Sequence, residues 1–233
     1  MKTIGLLGGM SWESTQTYYR LINEGVKARL GGLHSARMVL YSVDFAEIEA
    51  LQHAGDWAAT ARILSDSALS LQKAGADFLV IGTNTMHKVA PEITQTIDIP
   101  LLHIADATAA VLKQNGVRRV GLLGTRFTME QDFYRERLED ASIEVLTPDE
   151  TQRNDVHRII YEELCRGDIR GASRETYLAV VASLADRGAQ GVILGCTEIG
   201  LLINQSDTSI PLYDTTVIHA RQAVEQSLAM ASD

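Results

Sequence analysis

The feature that most restricts how this chain can fold is an internal repeat. "DFLVIGTNT", Asp77 to Thr85, and "QGVILGCTE", Gln190 to Glu198, align without a gap. The register continues upstream, where Gly75-Ala76 corresponds to Gly188-Ala189, Leu71 to Leu184 and Ser70 to Ser183. "IGLLGG", Ile4 to Gly9, recurs as "VGLLGT", Val120 to Thr125, and "IPL" at Ile99 recurs at Ile210. Three matches in one order at a nearly constant offset indicate one half written twice. At one chemically telling point the copies part, with Thr83 in the first and Cys196 in the second.

The repeated unit is α/β. "KTIGLL" and "RRVGLLG" are short apolar runs ending in glycine, as strands buried in a parallel sheet are. "ARMVLYSVDF", "DFLVIGTN", "IPLLHI", "IEVLTP", "GVILGCT" and "IPLYD" read the same way. Helical patterns lie between them: "STQTYYRLINEGVKARLG", "TARILSDSALSLQKAG", "MEQDFYRERLEDA", "NDVHRIIYEELCRGD", "SRETYLAVVASLADRG" and, at the end, "VIHARQAVEQSLAMA". Strands alternating with helices of this length build βαβ units. The expected fold is therefore two pseudo-symmetric Rossmann-like lobes, each a parallel sheet flanked by helices. Residues 1–98 with 212–233 form the N-terminal lobe and 99–211 the C-terminal lobe, joined by crossings near Pro100 and Pro211. Ligands of such folds bind beyond the carboxyl ends of the strands. Thr83 and Cys196 end equivalent strands, so a pseudo-twofold would face them across a ligand in the cleft between the lobes.

Composition narrows the function by exclusion. A net charge of −9 and a pI near 5.2 argue against a general binder of nucleic acid or anionic membranes, since both demand a basic face. No run of residues is long and apolar enough for a membrane span, and "MKTIGLLGGMSWEST" breaks at Gly8-Gly9 without a signal-peptide pattern. The two cysteines, Cys165 and Cys196, form no CxxC and no disulfide framework, which fits a reducing, cytoplasmic compartment.

Gly5, Gly8 and Gly9 do not match GxGxxG, and no phosphate-loop pattern is present. A strand, two glycines and then Ser11 and Ser14 opening a helix make either a site for a small carboxylate or only a tight strand-to-helix turn. No two of the six histidines, His34, His53, His87, His103, His157 and His219, have metal-ligand spacing, so no metal is expected. Cys165 reads as a packed thiol near a helix end. Cys196 ends an apolar strand, where exposed backbone N–H groups favour the thiolate, the basic and nucleophilic form.

The ordered set "GLLGGMSWEST", "TNTMHK", "HIADAT", "GTRFTMEQDFY" and "GCTEIGLL" resembles the aspartate/glutamate racemases that work without pyridoxal phosphate, most closely the aspartate racemase branch. The resemblance runs from Lys2 to about Val224. It implies two-base chemistry with no cofactor, in which a cysteine at the end of each equivalent strand serves one face of the substrate α-carbon. It also implies a small acidic amino acid as substrate and a homodimer. Here Cys196 holds the second of those positions and Thr83 the first, a departure from the pattern. Carried over residue by residue, Asn84, Thr85 and Thr197 would hold the α-carboxylate and amino groups. Met10, Gln52, Thr125 and Thr128 would line the site, and Glu198 would support Cys196. Where some members place basic residues for the side-chain carboxylate, this chain has Ile48 and Cys165.

An aliphatic hydroxyl stays neutral at working pH, so Thr83 cannot replace a thiolate as base. The resemblance assigns Cys196 to the L enantiomer, with the D form poorly served. Since enantiomers are equal in free energy, kcat/KM must be equal in the two directions, so a missing base slows racemisation both ways. What remains on the L side is α-proton exchange with retention. Two other readings stay open. One is an arylmalonate-type decarboxylase, which needs only the second-half cysteine; the other is a non-catalytic binder of acidic amino acids.

Overall fold

The computed structural model describes residues 1–229. The chain divides into two compact units, one made of Met1–His103 with the chain from His219 onward and the other of Ile104–Ile218. The crossings thus fall after His103 and Ile218, a few residues beyond the two prolines. The reason is local, because Leu212–Asp214 completes the second sheet before the last helix joins the first unit.

Each unit holds a four-stranded parallel sheet. In the first, β1 (Ile4–Gly8), β2 (Met38–Ser42), β3 (Phe78–Ile81) and β4 (Leu101–Leu102) lie in the order β2-β1-β3-β4. In the second, β5 (Arg119–Gly124), β6 (Glu144–Leu146), β7 (Val192–Gly195) and β8 (Leu212–Asp214) lie in the order β6-β5-β7-β8. The identical order is the sequence repeat expressed as topology. All eight expected strands form.

Alternate residues of the central strands feed two apolar clusters on the opposite faces of each sheet. Phe78 and Val80 pack with Ile4, Leu6, Tyr18 and Ala223, while Leu79 and Ile81 pack with Leu7, Ile48, Leu64 and Ile93. In the second unit Ile193 joins Val120, Leu122 and Tyr134, and Val192 and Leu194 join Leu123, Val156 and Tyr177. Covering both faces is what makes these strands uniformly apolar rather than alternating. Burying one such side chain contributes about 1.5–3 kcal/mol.

The helices depart from the sequence reading in several places. Phe45–Ala54 and Ile104–Gln114 are helices that the pattern did not reveal. "MEQDFYRERLEDA" is broken at Gln131, whose backbone is extended, into Arg126–Glu130 and Asp132–Asp140. The helix around "NDVHRIIYEELCRGD" runs over Glu150–Glu162, so Cys165 sits on a separate 3-10 turn, Leu164–Arg166. The last helix is Thr215–Leu228; its expected final residues Met230 and Ala231 lie outside the described residues. No described helix is long and apolar enough to cross a membrane.

Candidate active site

The two strand ends singled out by the repeat are built differently. In the first unit the chain leaves β3 through Gly82, Thr83 and Asn84 and enters the 3-10 turn Thr85–Val89. Three successive carbonyls there have named donors. Ser14 Oγ, in the first turn of the helix Trp12–Leu30, donates to Gly82 O at 2.8 Å. His87 Nδ1 bonds Thr83 O at 2.8 Å, and the His87 backbone N–H donates to Asn84 O at 3.1 Å. Thr83 is half-buried, whereas Asn84 and Thr85 are buried.

The glycine pair after β1 makes the tight turn. Gly9 has φ +89°, and a Cβ there would lie 2.3 Å from Val43 O. Ser11 Oγ accepts from Ser14 N at 3.3 Å as the helix cap. Thr15 Oγ1 accepts from Gly9 N at 2.7 Å and donates to Ser11 O at 2.9 Å. These hydroxyls are thus engaged in shaping the turn. Met10 is buried in one cluster with Ile48 and Met86, and Gln52 is buried on the helix Phe45–Ala54. Lys88 Nζ lies 4.1 Å from the Trp57 ring centre, and desolvation lowers its pKa.

In the second unit the chain leaves β7 at Gly195, directly before Cys196. Gly195 is required by close approach, since a Cβ would lie 2.7 Å from Leu123 O and 3.4 Å from Thr128 Cγ2. That approach brings the end of β7 against the helix Arg126–Glu130, whose N-cap Thr125 accepts from Thr128 N. Thr125 Oγ1 and Thr128 Oγ1 are 3.3 Å apart. Thr125, Thr128 and the Cys196 strand end are thereby gathered in this unit.

Cys196 Sγ donates to Glu198 Oε2 at 3.0 Å, and Thr197 Oγ1 donates to the same oxygen at 2.6 Å. Here the structure corrects the expectation of a favoured thiolate. Burial pushes the Cys196 thiol well up, and the neighbouring Glu198 carboxylate, like-charged to a thiolate, pushes it further. A backbone N–H from Glu198 does pull the other way, as anticipated, but is outweighed. The resting group is a thiol bonded to a carboxylate, an arrangement in which the proton has an acceptor within reach.

Tyr177 feels the charges of Cys196, Cys165, Glu163 and Glu198, and Cys196 feels those of Glu198 and Cys165. Tyr177 is buried and its hydroxyl donates to Val156 O at 3.0 Å. Glu163 is 2% exposed; Ser173 Oγ donates to it at 2.5 Å and Arg158 Nη1 at 3.1 Å. It fastens the turn bearing Cys165 between two helices. Nothing in its spacing marks Glu163 as special, because its partners come from before and after the turn. Among the described residues no three His, Cys, Asp or Glu side chains group to hold a metal ion.

The chain is thus a duplicated α/β protein with a thiol–carboxylate pair at one strand end and a hydroxyl at the equivalent one. The family model for Asp/Glu/hydantoin racemases matches residues 7–223, and the chain belongs to that family. It is an amino-acid racemase by class. A crystal structure from Yersinia pestis, described as that of a candidate Asp/Glu racemase, is 59% identical with a TM-score of 0.93, covering 98% of this chain and 100% of that one. An aspartate racemase homologue from Pyrococcus horikoshii OT3 is 34% identical with a TM-score of 0.87 over 98% and 100% of the two chains. The broad specificity amino-acid racemase RacX of Bacillus subtilis (strain 168) is 25% identical over 98% of this chain and 100% of its own length.

Proposed function

We propose that the protein is a cofactor-independent racemase of L-aspartate, L-glutamate or both, in which Cys196 is the single base. The observation that carries this reading is the Cys196–Glu198 pair at the end of β7, set against Thr83 at the equivalent end of β3. The thiolate removes the α-proton of the L substrate, leaving a carbanion conjugated with the α-carboxylate and a thiol whose proton exchanges with solvent. Return from the same sulfur restores the L form with a solvent proton. Inversion needs a donor on the other face, and a threonine hydroxyl is a weak one. The visible act on L substrate is therefore exchange with retention, and racemisation is slow in both directions.

Glu198 holds the resting thiol and orients it. Arrival of the substrate ammonium places a positive charge near the sulfur and favours the thiolate. Asn84, Thr85 and Thr197 bind the α-carboxylate and amino groups, with Met10, Gln52, Thr125 and Thr128 lining the site. The enzyme acts in the cytoplasm as a homodimer. Thr83→Cys tests the reading, since a restored second base should raise racemisation of L and D substrate equally. Unchanged rates in both directions would defeat it.

A second reading draws support from the lone strand-end cysteine. A decarboxylase needs only one thiol, to protonate the carbanion left after carbon dioxide departs. Carbon dioxide release from a disubstituted malonate, abolished by Cys196→Ser, would favour that reading over the first.

A further inference from the structure

The repeat aligns His87 with Gly200 just as it aligns Thr83 with Cys196. The second unit carries no side chain there, and a Cβ on Gly200 would point at the Asp214 carboxylate, 2.7 Å from Oδ2, rather than at the strand end. The first unit instead fills the position with a histidine that is 1% exposed. The unit that lacks the thiol therefore has a prop that the thiol-bearing unit lacks.

His87 grips the strand end twice, through its ring to Thr83 O and through its backbone N–H to Asn84 O. A carbonyl oxygen only accepts, so Nδ1 must carry the ring proton in the neutral imidazole. Behind His87 stand two more buried histidines. The His103 ring centre is 4.4 Å away, edge to face, and that of His219 is 5.8 Å away. His219 is pinned at both nitrogens. Nε2 donates to Leu102 O at 2.8 Å, and Nδ1 accepts from the Tyr18 hydroxyl at 2.8 Å. The support thus runs from the helix Trp12–Leu30 and the last helix through three imidazoles to the carbonyl of Thr83.

We infer that His87, as the Nδ1–H tautomer braced by His103 and His219, is a positioning residue that fixes the Thr83–Asn84–Thr85 strand end for substrate. The inference rests on the functional reading above only where turnover is concerned. Asparagine places an N–H donor where Nδ1 stands, whereas glutamine places one where Nε2 stands. His87→Asn should therefore keep the bond to Thr83 O and His87→Gln should lose it. Misplacement of binding groups by about 1 Å can cost on the order of a hundredfold in rate.

The experiment is nitrogen-15 NMR of the histidine rings and of the Thr83–Thr85 amides, combined with α-proton exchange of L-aspartate in wild type and both variants. The expected result is a protonated Nδ1 and a pyridine-type Nε2 in His87. His87→Asn should leave the three amide signals near their wild-type positions and turnover within about threefold, while His87→Gln shifts the signals and lowers kcat about tenfold or more. An Nε2–H tautomer, or equal behaviour of the two variants, would overturn the proposal. If wild type turns over no L-aspartate, the substrate reading fails, and the ring and amide signals still decide the positioning role.

Discussion

Gly195→Ala tests whether close approach of β7 to β5 places Cys196. The added Cβ would sit 2.7 Å from Leu123 O, whereas carbon–oxygen contacts in sheets settle near 3.3–3.6 Å, so a shift of roughly 0.6 Å or more is demanded. The obstructing atom is backbone, so no rotamer change relieves it; the strands must separate, and Leu122 Cδ1 at 3.2 Å and Thr128 Cγ2 at 3.4 Å restrict the escape. Overpacking of this kind costs about 1–3 kcal/mol, which for a chain of this size lowers the melting temperature by about 2–4 °C per kcal/mol. Since Cys196 is the next residue, exchange should fall by about tenfold or more. Gly171→Ala is the control in the same unit, because its Cβ meets nothing within 4 Å and it opens the helix Gly171–Asp186. That change should be neutral or stabilise by up to about 1 kcal/mol. Thermal unfolding by circular dichroism and L-aspartate exchange are the assays. A Gly195→Ala protein matching the control in both would refute the reasoning.

Two other perturbations follow from the charges. Burial and then the Glu198 carboxylate hold the Cys196 thiol protonated; Glu198→Gln removes the second cause, so alkylation of Cys196 by iodoacetamide should move to lower pH, and an unchanged or raised profile would show that the charge is not felt. His219 is buried, and burial lowers its pKa from the ordinary 6.5 to about 4. Its neutral form is favoured in the fold, so this contribution is complete above pH 6.5 and is lost as pH falls toward 4. The full loss is about 3 kcal/mol. In urea unfolding, wild type should lose stability between pH 6.5 and 4.5 faster than His219→Gln, and parallel losses would count against the assignment.

Much of this architecture is written locally. The "GLLGG" and "GLLGT" runs and the two aligned strand ends mark the four central strands and the duplication, because strands buried on both faces are apolar throughout; four further short apolar runs mark the rest. The helix Ile104–Gln114 escaped because "IPLLHIADATAAVL" is almost continuously apolar across the strand-to-helix change, and its end is marked only by Asn115-Gly116. Glu198 beside Cys196 was legible only through the family resemblance; the direction of the thiol's pKa was not legible at all, since it depends on burial and on where a carboxylate points. His87, His103 and His219 come from three separate segments with no metal-like spacing, so only the fold brings them together. Gly200 was a signal available in the repeat, as the one place where a glycine replaces the histidine of the first copy.

The most direct test of the central claim is proton NMR of L- and D-aspartate and L- and D-glutamate with the protein in deuterated water, alongside optical rotation. The account predicts loss of the α-proton signal from an L form, dependent on Cys196, with little D product and an inert D form. Rapid exchange of both enantiomers with fast racemisation would contradict a one-base site, and no exchange with any of the four would contradict the proposed substrates.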